Sequence, residues 1–290
     1  MTLTMFTLNA FYGLALAMNM FIIASGLNLI FGVLRVINFA HGMFYMFGAY
    51  IVFTVTKSWG APFFVGVLAS AASLAVIALV IERLLLKHLY GKEHLMQLLF
   101  TFAIVLLMSD AAKMIWGTDQ YSVGYPAGLG GAVNLGVVVV PQYQLFLCLV
   151  GPLIALAMWF VVDRTRWGRI VRAATQDREM LAALGVNVPM VYAAVFTIGS
   201  ALAGIGGALA APVRSLTPGM GFSILIESFI VTVIGGMGSI VGAFVAALLI
   251  GFTRSFGSIG FPLFVDGVMF LFMALVLIFK PSGLFGRPHR

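Results

Sequence analysis

The residues able to do chemistry are few, and the most unusual of them lie within or between apolar stretches. Arg35, Asn38 and His41 separate two hydrophobic runs, whereas Glu227 and Asp266 are the single charges of two further apolar runs. A polar or charged group costs free energy in apolar surroundings unless it is paired or hydrated. Such groups therefore line polar cavities or brace breaks in helices.

These residues call for different interpretations. Arg35 fits a turn at the cytoplasmic end of a helix, whereas Asn38 and His41 are predicted to brace a helix break near a pathway. Asp266 fits a carboxylate that reaches the lipid–water interface. Glu227 is the better pathway candidate, because glycines interrupt the segment that carries it.

The sequence contains none of three common motifs of enzymes and nucleotide-binding proteins. Gly91-Lys92 lacks the upstream glycine of a P-loop and is followed by Glu93, so ATP binding through such a loop is not expected. Zinc-protease and nucleophile-elbow motifs are absent as well. The histidines have no metal-ligand spacing; they are His41, His88, His94 and His289. We therefore expect no enzymatic activity, no metal site and no cofactor bound by this chain itself.

Composition identifies the surroundings of the chain. Hydrophobic residues make up 62% of its 290 residues and charged residues only 9%, against about 25% charged in soluble domains. Lipid tolerates such a surface, and water does not. The net charge of +7 does not indicate a nucleic-acid partner, because the basic residues lie in short loops between apolar runs. Cys148 is the only cysteine, which excludes an internal disulfide.

Eight apolar blocks are long enough, or nearly so, to cross a membrane, which takes about 20 residues per helix. They cover residues 1–34, 36–56, 63–81, 95–116, 143–162, 190–213, 222–253 and 262–279. The sequence thus predicts an all-α, polytopic integral membrane protein with one transmembrane domain over residues 1–290. Gly66 lies in an uninterrupted block, and we expect a larger side chain there to face lipid.

The loops predict an orientation. Basic residues concentrate in residues 82–94, 163–178 and 280–290, which the positive-inside rule puts in the cytoplasm. Residues 117–142 carry only Asp119 as a charged residue and are predicted to lie outside, as a small hairpin or plug.

Two blocks are interrupted. Residues 222–253 are too short for two full crossings, and Gly235, Gly236 and Gly238 predict two half-helices that meet at a bend. Residues 35–42 interrupt the first half of the chain in a similar way. One interpretation is an inverted repeat with a pathway between its halves. The other is pairs of ordinary helices joined by tight loops, and the sequence leaves both open.

The cytoplasmic loop, residues 163–189, contains the signals of a short helix. Asp177 is a good N-cap, residues 178–184 can form two turns, and Gly185 can end them before Pro189 opens the next span. A short helix held between two membrane helices suits docking into a groove of a partner. An ordinary basic loop near anionic lipid is the alternative.

Three stretches carry a family resemblance. They are GLNLIFGVLRVINFAHGMFYMFGAY at residues 26–50, RIVRAATQDREMLAALGVNV at residues 169–188 and VIGGMGSIVGAFVAALLIG at residues 233–251. In this order they resemble the permeases of branched-chain amino acid ABC transporters, and the resemblance covers nearly the whole chain.

The resemblance implies a permease subunit of an ABC importer in the bacterial cytoplasmic membrane, which translocates branched-chain or other hydrophobic amino acids. Its implied partners are a second, similar permease subunit in a homo- or heterodimer, two cytoplasmic subunits that use ATP and Mg, and an external solute-binding protein. Related permeases handle urea, short amides or aromatic acids, which is the alternative for the solute.

The resemblance also implies coupling residues. Importer loops carry an E-A-A-x-x-x-G pattern; Glu179 and Gly185 match its ends, whereas Met180 and Leu181 replace its alanines. The candidate coupling residues are Asp177, Arg178, Glu179, Leu181, Leu184 and Gly185. The candidate pathway or helix-break residues are Asn38, His41, Glu227, Gly235, Gly236 and Gly238.

A self-sufficient channel or ion-coupled transporter is the rival from another class. It fits interrupted helices equally well, but it has no need of a capped helix displayed in the cytoplasm. An intramembrane enzyme is disfavoured, because no nucleophile–base or metal constellation is evident.

Overall fold

A computed structural model describes residues 3–136, 138–260 and 262–286. Helices account for most of these residues, and one small hairpin is formed by β1 (Ala132–Asn134) and β2 (Val139–Pro141). The helices are α1 (Leu3–Leu34), α2 (His41–Phe53), α3 (Phe63–Leu84), α4 (His94–Trp116), α5 (Gln142–Trp159), α6 (Arg166–Gln176), α7 (Arg178–Ala183), α8 (Val188–Ala210), α9 (Met220–Gly235), α10 (Ile240–Gly260) and α11 (Val265–Phe279). Turns of π-helix extend α2 through Thr54–Ser58 and α5 through Phe160–Arg164.

Seven of these helical segments are long and apolar enough to cross a membrane, counted within the described residues. They are α1, α3, α4, α8, α10, and α5 and α11 with the short helical turns beside them. The shorter α9 has 16 residues, or about 24 Å at the helical rise. The chain is thus a multi-pass helical membrane protein, which confirms the predicted fold class.

The block 222–253 differs in detail from the prediction. It divides into α9 and α10 at the glycine-rich bend, as expected, but α10 has 21 residues and is long enough for a full span. The prediction of two half-helices is therefore wrong for α10. The apolar block underestimates the helical length, because α9 begins before it at Met220 and α10 continues beyond it to Gly260.

The helices form an inner and an outer group. Of the apolar stretch in α1, 83% is buried, against 11% in the last span, Pro262–Phe279. Outer helices present large side chains outward, such as Leu68 of α3 and Leu107 of α4, which are both 71% exposed. The outer group therefore supplies the surface that faces lipid.

Helix α2 lies at the centre of the inner group, with 11 of its 13 residues buried. Glycines let its backbone touch two neighbours. A Cβ at Gly48 would overlap Gly204 of α8, and a Cβ at Gly42 would overlap the carbonyl of Gly221 in α9. In a bilayer such close packing replaces the hydrophobic force that joins helices in water.

Gly66 takes part in the same packing, contrary to the expectation that it faces lipid. It is buried in α3, and an added Cβ would come within 2.6 Å of the Val52 side chain of α2. The sequence shows an uninterrupted apolar block, but it does not show which face of that block meets another helix.

The helix ends form two faces. One face holds residues 35–40, 85–93, 165–187, 236–239 and 280–286, and the other holds residues 59–62, 117–141 and 211–219. The hairpin lies on the second face, where Tyr121 also pairs with Leu216. The positive-inside rule makes the first face cytoplasmic.

We predict opposite labelling for cysteines introduced on the two faces. In a Cys148→Ala background, the Asp119→Cys variant should react with a membrane-impermeant maleimide in intact cells. The His88→Cys variant should react only after permeabilisation, because its exposed position is on the cytoplasmic face. Labelling of both variants in intact cells would contradict the assigned orientation.

We predict that Gly207→Ala destabilises the protein and that Gly267→Ala does not. A Cβ at Gly207 of α8 would overlap the Tyr45 carbonyl of α2, whereas Gly267 of α11 has open space around it. Overpacking costs about 1–3 kcal/mol, and alanine in a helix is favoured over glycine by up to about 1 kcal/mol. Thermal unfolding of the purified variants checks this, and equal midpoints would rule out backbone contact between α2 and α8.

Candidate functional site

The first helix break, residues 35–40, is braced by its own polar side chains. The Asn38 side-chain oxygen accepts a hydrogen bond from the Ala40 N–H at 3.1 Å. His41 begins α2, and its Nε2 lies 2.9 Å from the carbonyl oxygen of Ile23 in α1. Asn38 is 1% exposed and His41 is fully buried. Both residues thus hold the break in shape, and their place beside a pathway stays a prediction.

In the part of the chain that the structure describes, two polar atoms at the same break lack hydrogen-bond partners. Asn38 Nδ2 and His41 Nδ1 are buried and have no hydrogen-bond partner among the described residues. Arg35 adopts a φ of 54°, a left-handed conformation that costs free energy for a residue with a side chain. The break is therefore held at some cost, as is common at functional positions.

The second break lies between α9 and α10. Gly236 and Gly238 have φ values of 100° and 85°, which explains the requirement for glycine at both positions. Asn28 of α1 bridges this turn with both ends of its amide. Its oxygen accepts from the Gly238 N–H at 3.1 Å, and its nitrogen donates to the Ser239 carbonyl at 3.1 Å.

The C-terminal segment completes the second break. The Leu284 N–H donates to the Ile234 carbonyl at 2.8 Å, and the Phe285 N–H donates to the Gly235 carbonyl at 3.0 Å. These bonds satisfy carbonyls that the end of α9 leaves free. Gly236 lies against Gly286, so its missing side chain makes room for this tail.

The two breaks lie on the same face of the bundle. Asn28 near the end of α1 reaches the second break, and an added Cβ at Gly32 would stand 3.0 Å from the Cα of Gly238. The corresponding loops of an inverted repeat would lie on opposite faces of the membrane. This placement favours the other interpretation, in which tight loops join consecutive helices.

A second polar contact lies within the bundle. The Asn19 side-chain nitrogen donates to the Gly206 carbonyl of α8 at 2.9 Å, and the Tyr45 hydroxyl donates to the Asn19 oxygen at 3.0 Å. This contact ties α1, α2 and α8 together. Sequence reasoning missed it, because the amide of Asn19 is a single uncharged group in a long apolar run.

Glu227 of α9 is 7% exposed and paired with two arginines. Its Oε2 accepts from Arg214 Nη2 at 3.1 Å, and its Oε1 accepts from Arg254 Nη1. Sequence reasoning missed both arginines. One signal could have found them, since basic residues predicted on the outer side violate the positive-inside rule and so need a partner.

Arg214 stays charged in this arrangement. Burial lowers the pKa of its guanidinium, but Tyr45 and Glu227 nearby raise it by more, so the net shift is upward. Glu227 thus keeps a cationic partner in a setting where an unpaired carboxylate would be costly.

Other charges lie away from these groups. Asp110 and Lys113 of α4 pair with each other at 3.0 Å, as predicted from their spacing. Asp266 is exposed in the first turn of α11, where an interfacial carboxylate is expected. Buried Glu82 accepts from the Tyr90 hydroxyl at 2.9 Å, and burial together with this carboxylate raises the pKa of Tyr90.

The short helix α7 has the caps that the sequence predicts. The Asp177 carboxylate accepts from the N–H groups of Glu179 and Met180 at 3.0 and 2.9 Å. The helix ends at Ala183, one residue before the predicted end, and Gly185 follows with a φ of 81°. Asn187 then caps α8 through the Met190 N–H at 3.1 Å.

The side chains of α7 divide into an anchor and an exposed surface. Leu181 is 5% exposed and packs against the body of the protein. Met180 and Leu184 are 60% and 74% exposed, and Arg178 and Glu179 are exposed as well. The helix therefore offers two large apolar side chains and two opposite charges to the cytoplasm.

The preceding helix, α6, connects α7 to the first break. It buries Gly168, Val171 and Ala174, which are spaced three apart and so share a face. Near its end, the carbonyl of Thr175 accepts from Arg35 Nη2 at 3.0 Å. Arg35 is thus more than a basic residue at a turn, because it joins the break to the segment that positions α7.

Residues 9–279 match the family model described as the permease component of the branched-chain amino acid transport system. The chain belongs to this permease family. It is 32% identical to the high-affinity branched-chain amino acid transport permease BraD of Pseudomonas aeruginosa in an alignment of 293 residues. This alignment covers 96% of this chain and 94% of BraD. It is 28% identical to the high-affinity branched-chain amino acid transport permease LivH of Escherichia coli K12, and this alignment covers 96% of this chain and 95% of LivH.

A partial match links the chain to a permease that is named for another solute. The fructose import permease FrcC of Rhizobium meliloti is 35% identical over 131 residues, which is 42% of this chain and 33% of FrcC. No solved structure gives a significant match.

The predicted pathway residues of this permease fall into two groups. Asn38, His41 and the three glycines lie at the two breaks, on the cytoplasmic face. Glu227 lies eight residues before Gly235 on α9, or about 12 Å along the helix, toward the outer face. The roles proposed for them in transport stay predictions.

We predict that Asn28→Leu destabilises the permease, whereas Asn9→Leu has little effect. The leucine at residue 28 would leave the Gly238 N–H and the Ser239 carbonyl without their partner, at a cost of about 1–3 kcal/mol. The Asn9 side chain donates to the nearby Met5 carbonyl on a more open part of α1, and the bond from Ser255 goes to the Asn9 backbone, which the substitution keeps. Thermal unfolding midpoints measure the difference, and an unchanged midpoint for Asn28→Leu would show that the bridge is dispensable.

Proposed function

We propose that this chain is the membrane-spanning subunit of an ABC importer that takes up branched-chain or other hydrophobic amino acids. The relatives matched over nearly their whole length are named for branched-chain amino acid transport, whereas the fructose permease matches over less than half of this chain. Permeases for urea, short amides or aromatic acids are the alternative within the same class.

The energy comes from separate subunits in this proposal. The chain lacks a P-loop motif, so ATP and Mg are used by two cytoplasmic ATPase subunits and not by a site of its own. A second permease subunit and an external solute-binding protein complete the complex. The permease itself is without enzymatic activity and binds no cofactor.

The observation that carries the coupling role is the surface of α7. Two large apolar side chains, Met180 and Leu184, are exposed at a site that faces water. Capping by Asp177 and anchoring by Leu181 hold them in place. A groove on a partner subunit would bury these side chains, which is the usual manner of helix docking.

A channel or an ion-coupled transporter has no use for such a surface. Motion of α7 can reach the helix break, because α6 links it to Arg35. Movement of the ATPase subunits would thereby change the bundle at its cytoplasmic end.

We predict that Glu179→Arg and Gly185→Val uncouple ATP hydrolysis from uptake. Glu179 lies in the first turn of α7, where its charge suits the helix dipole and a basic group on the partner. Gly185 has a positive φ, so valine would distort the turn that positions α7. Reconstituted complexes should lose leucine uptake or subunit association, while leucine binding by the external protein is unchanged.

The matched control is Glu93→Arg, which reverses another exposed acidic residue on the cytoplasmic face, outside α7. It should leave association, ATP turnover and uptake near the unaltered level. Normal transport by both α7 variants would reduce this loop to a basic tether. Uptake of urea in preference to leucine would retain the ABC class and reject the amino-acid solute.

A further inference from the structure

An open depression of about 650 Å³ lies on the outer face between the loop of residues 211–219, the start of α9 and α10. Arg214 and Arg254 stand in its wall together with Ser215, Thr217 and Ser223. These side chains are hydrogen-bond donors or can act as donors, so the lining matches an anion.

The charges of the depression do not cancel. Two guanidinium groups share the single carboxylate of Glu227, which leaves one net positive charge. Each guanidinium has more N–H donors than its bond to Glu227 uses. The Arg214 and Arg254 side chains are 25% and 30% exposed, so donors remain available to a ligand from outside.

The start of α9 adds to the same preference. Gly219 and Met220 line the depression at the first turn of this 16-residue helix, and no side chain caps it. The Met220 and Phe222 N–H groups already donate to the Thr217 and Gly219 carbonyls, so this end favours an anion through the partial positive charge of the helix dipole.

We propose that Arg214 and Arg254 form an outer subsite that binds the carboxylate group of a small organic solute before it enters the bundle. Glu227 holds the two guanidiniums in position and leaves their outward donors for the solute. This proposal deepens the proposed function, on which the choice of leucine as the probe rests.

The test uses the assembled transporter without the external binding protein. A Ser215→Cys reporter in a Cys148→Ala background is labelled with an anionic and a cationic methanethiosulfonate reagent. The ratio of the two labelling rates reports the local charge. Protection of the reporter by leucine, by 4-methylpentanoate, which lacks the amine, and by 3-methylbutylamine, which lacks the carboxylate, reports binding.

We expect Arg254→Gln to lower the anionic-to-cationic rate ratio roughly tenfold, since it removes a charge next to the reporter. Glu227→Gln should shift the ratio in the opposite direction. The control Lys57→Gln removes an exposed positive charge from the outer face away from the depression, and screening should keep its effect below about twofold. Leucine and 4-methylpentanoate should protect the reporter, 3-methylbutylamine should not, and Arg254→Gln should abolish protection.

The outcomes separate this proposal from the proposed function. Protection by 4-methylpentanoate but not by leucine would support the subsite and reject the amino-acid solute. Normal leucine uptake by Arg254→Gln, without protection by either carboxylate, would reject the subsite and leave the function standing. If Arg254→Gln weakens only the association of the external binding protein, the depression is a docking surface and the proposal is wrong.

Discussion

Backbone contact between α2 and its neighbours is the constraint on which the rest of the structure depends. Lipid supplies no hydrophobic force between apolar helices, so they associate through close packing and hydrogen bonds. Gly48 meets Gly204 of α8, and Gly42 meets Gly221 of α9, which leaves no room for a side chain at either crossing. Because these crossings fix α2 along most of its length, changes of shape are cheapest at the ends of the helices. The polar groups of the two breaks and of the outer depression lie at those ends, whereas the contact of Asn19 with Tyr45 and the Gly206 carbonyl lies within the bundle.

The two cytoplasmic breaks differ in how well they are satisfied. At the second break, Asn28 and the C-terminal segment pair with the free backbone groups around Gly238 and the end of α9. At the first break, Asn38 and His41 each keep a buried nitrogen without a partner among the described residues. An unpaired buried polar group costs about 1–3 kcal/mol, so a rearrangement that paired it would recover free energy. The first break is therefore the easier one to change, and it is the one that Arg35 joins to α6.

Local sequence signals predicted local structure well. Apolar blocks located the spans, and Asp177 and Gly185 located α7 to within a residue, because caps and stops act over a single turn. The contacts that define the candidate site act over longer distances. Arg214 and Arg254 lie 13 and 27 residues from Glu227, and only the folding of the loop before α9 and the packing of α9 against α10 bring them together. Gly66 was misjudged for a related reason, since an apolar helix has no polar face to show which side is buried. In a chain surrounded by lipid, the spacing of residues alone does not show which charged side chains pair or which face of a helix is buried.

Helix α9 connects the two ends of the permease physically. It carries Glu227 near the outer depression and ends at Gly235, where the second break and the C-terminal segment meet. A helix of this length moves as a rod, so displacement at its cytoplasmic end is transmitted to the carboxylate about 12 Å away. Such displacement would alter the spacing of Arg214 and Arg254, because Glu227 holds both guanidiniums. In the proposed subsite, solute affinity at the outer face would thereby be linked to the state of the cytoplasmic breaks through one rigid element, and by reciprocity a bound solute would bias the breaks in return.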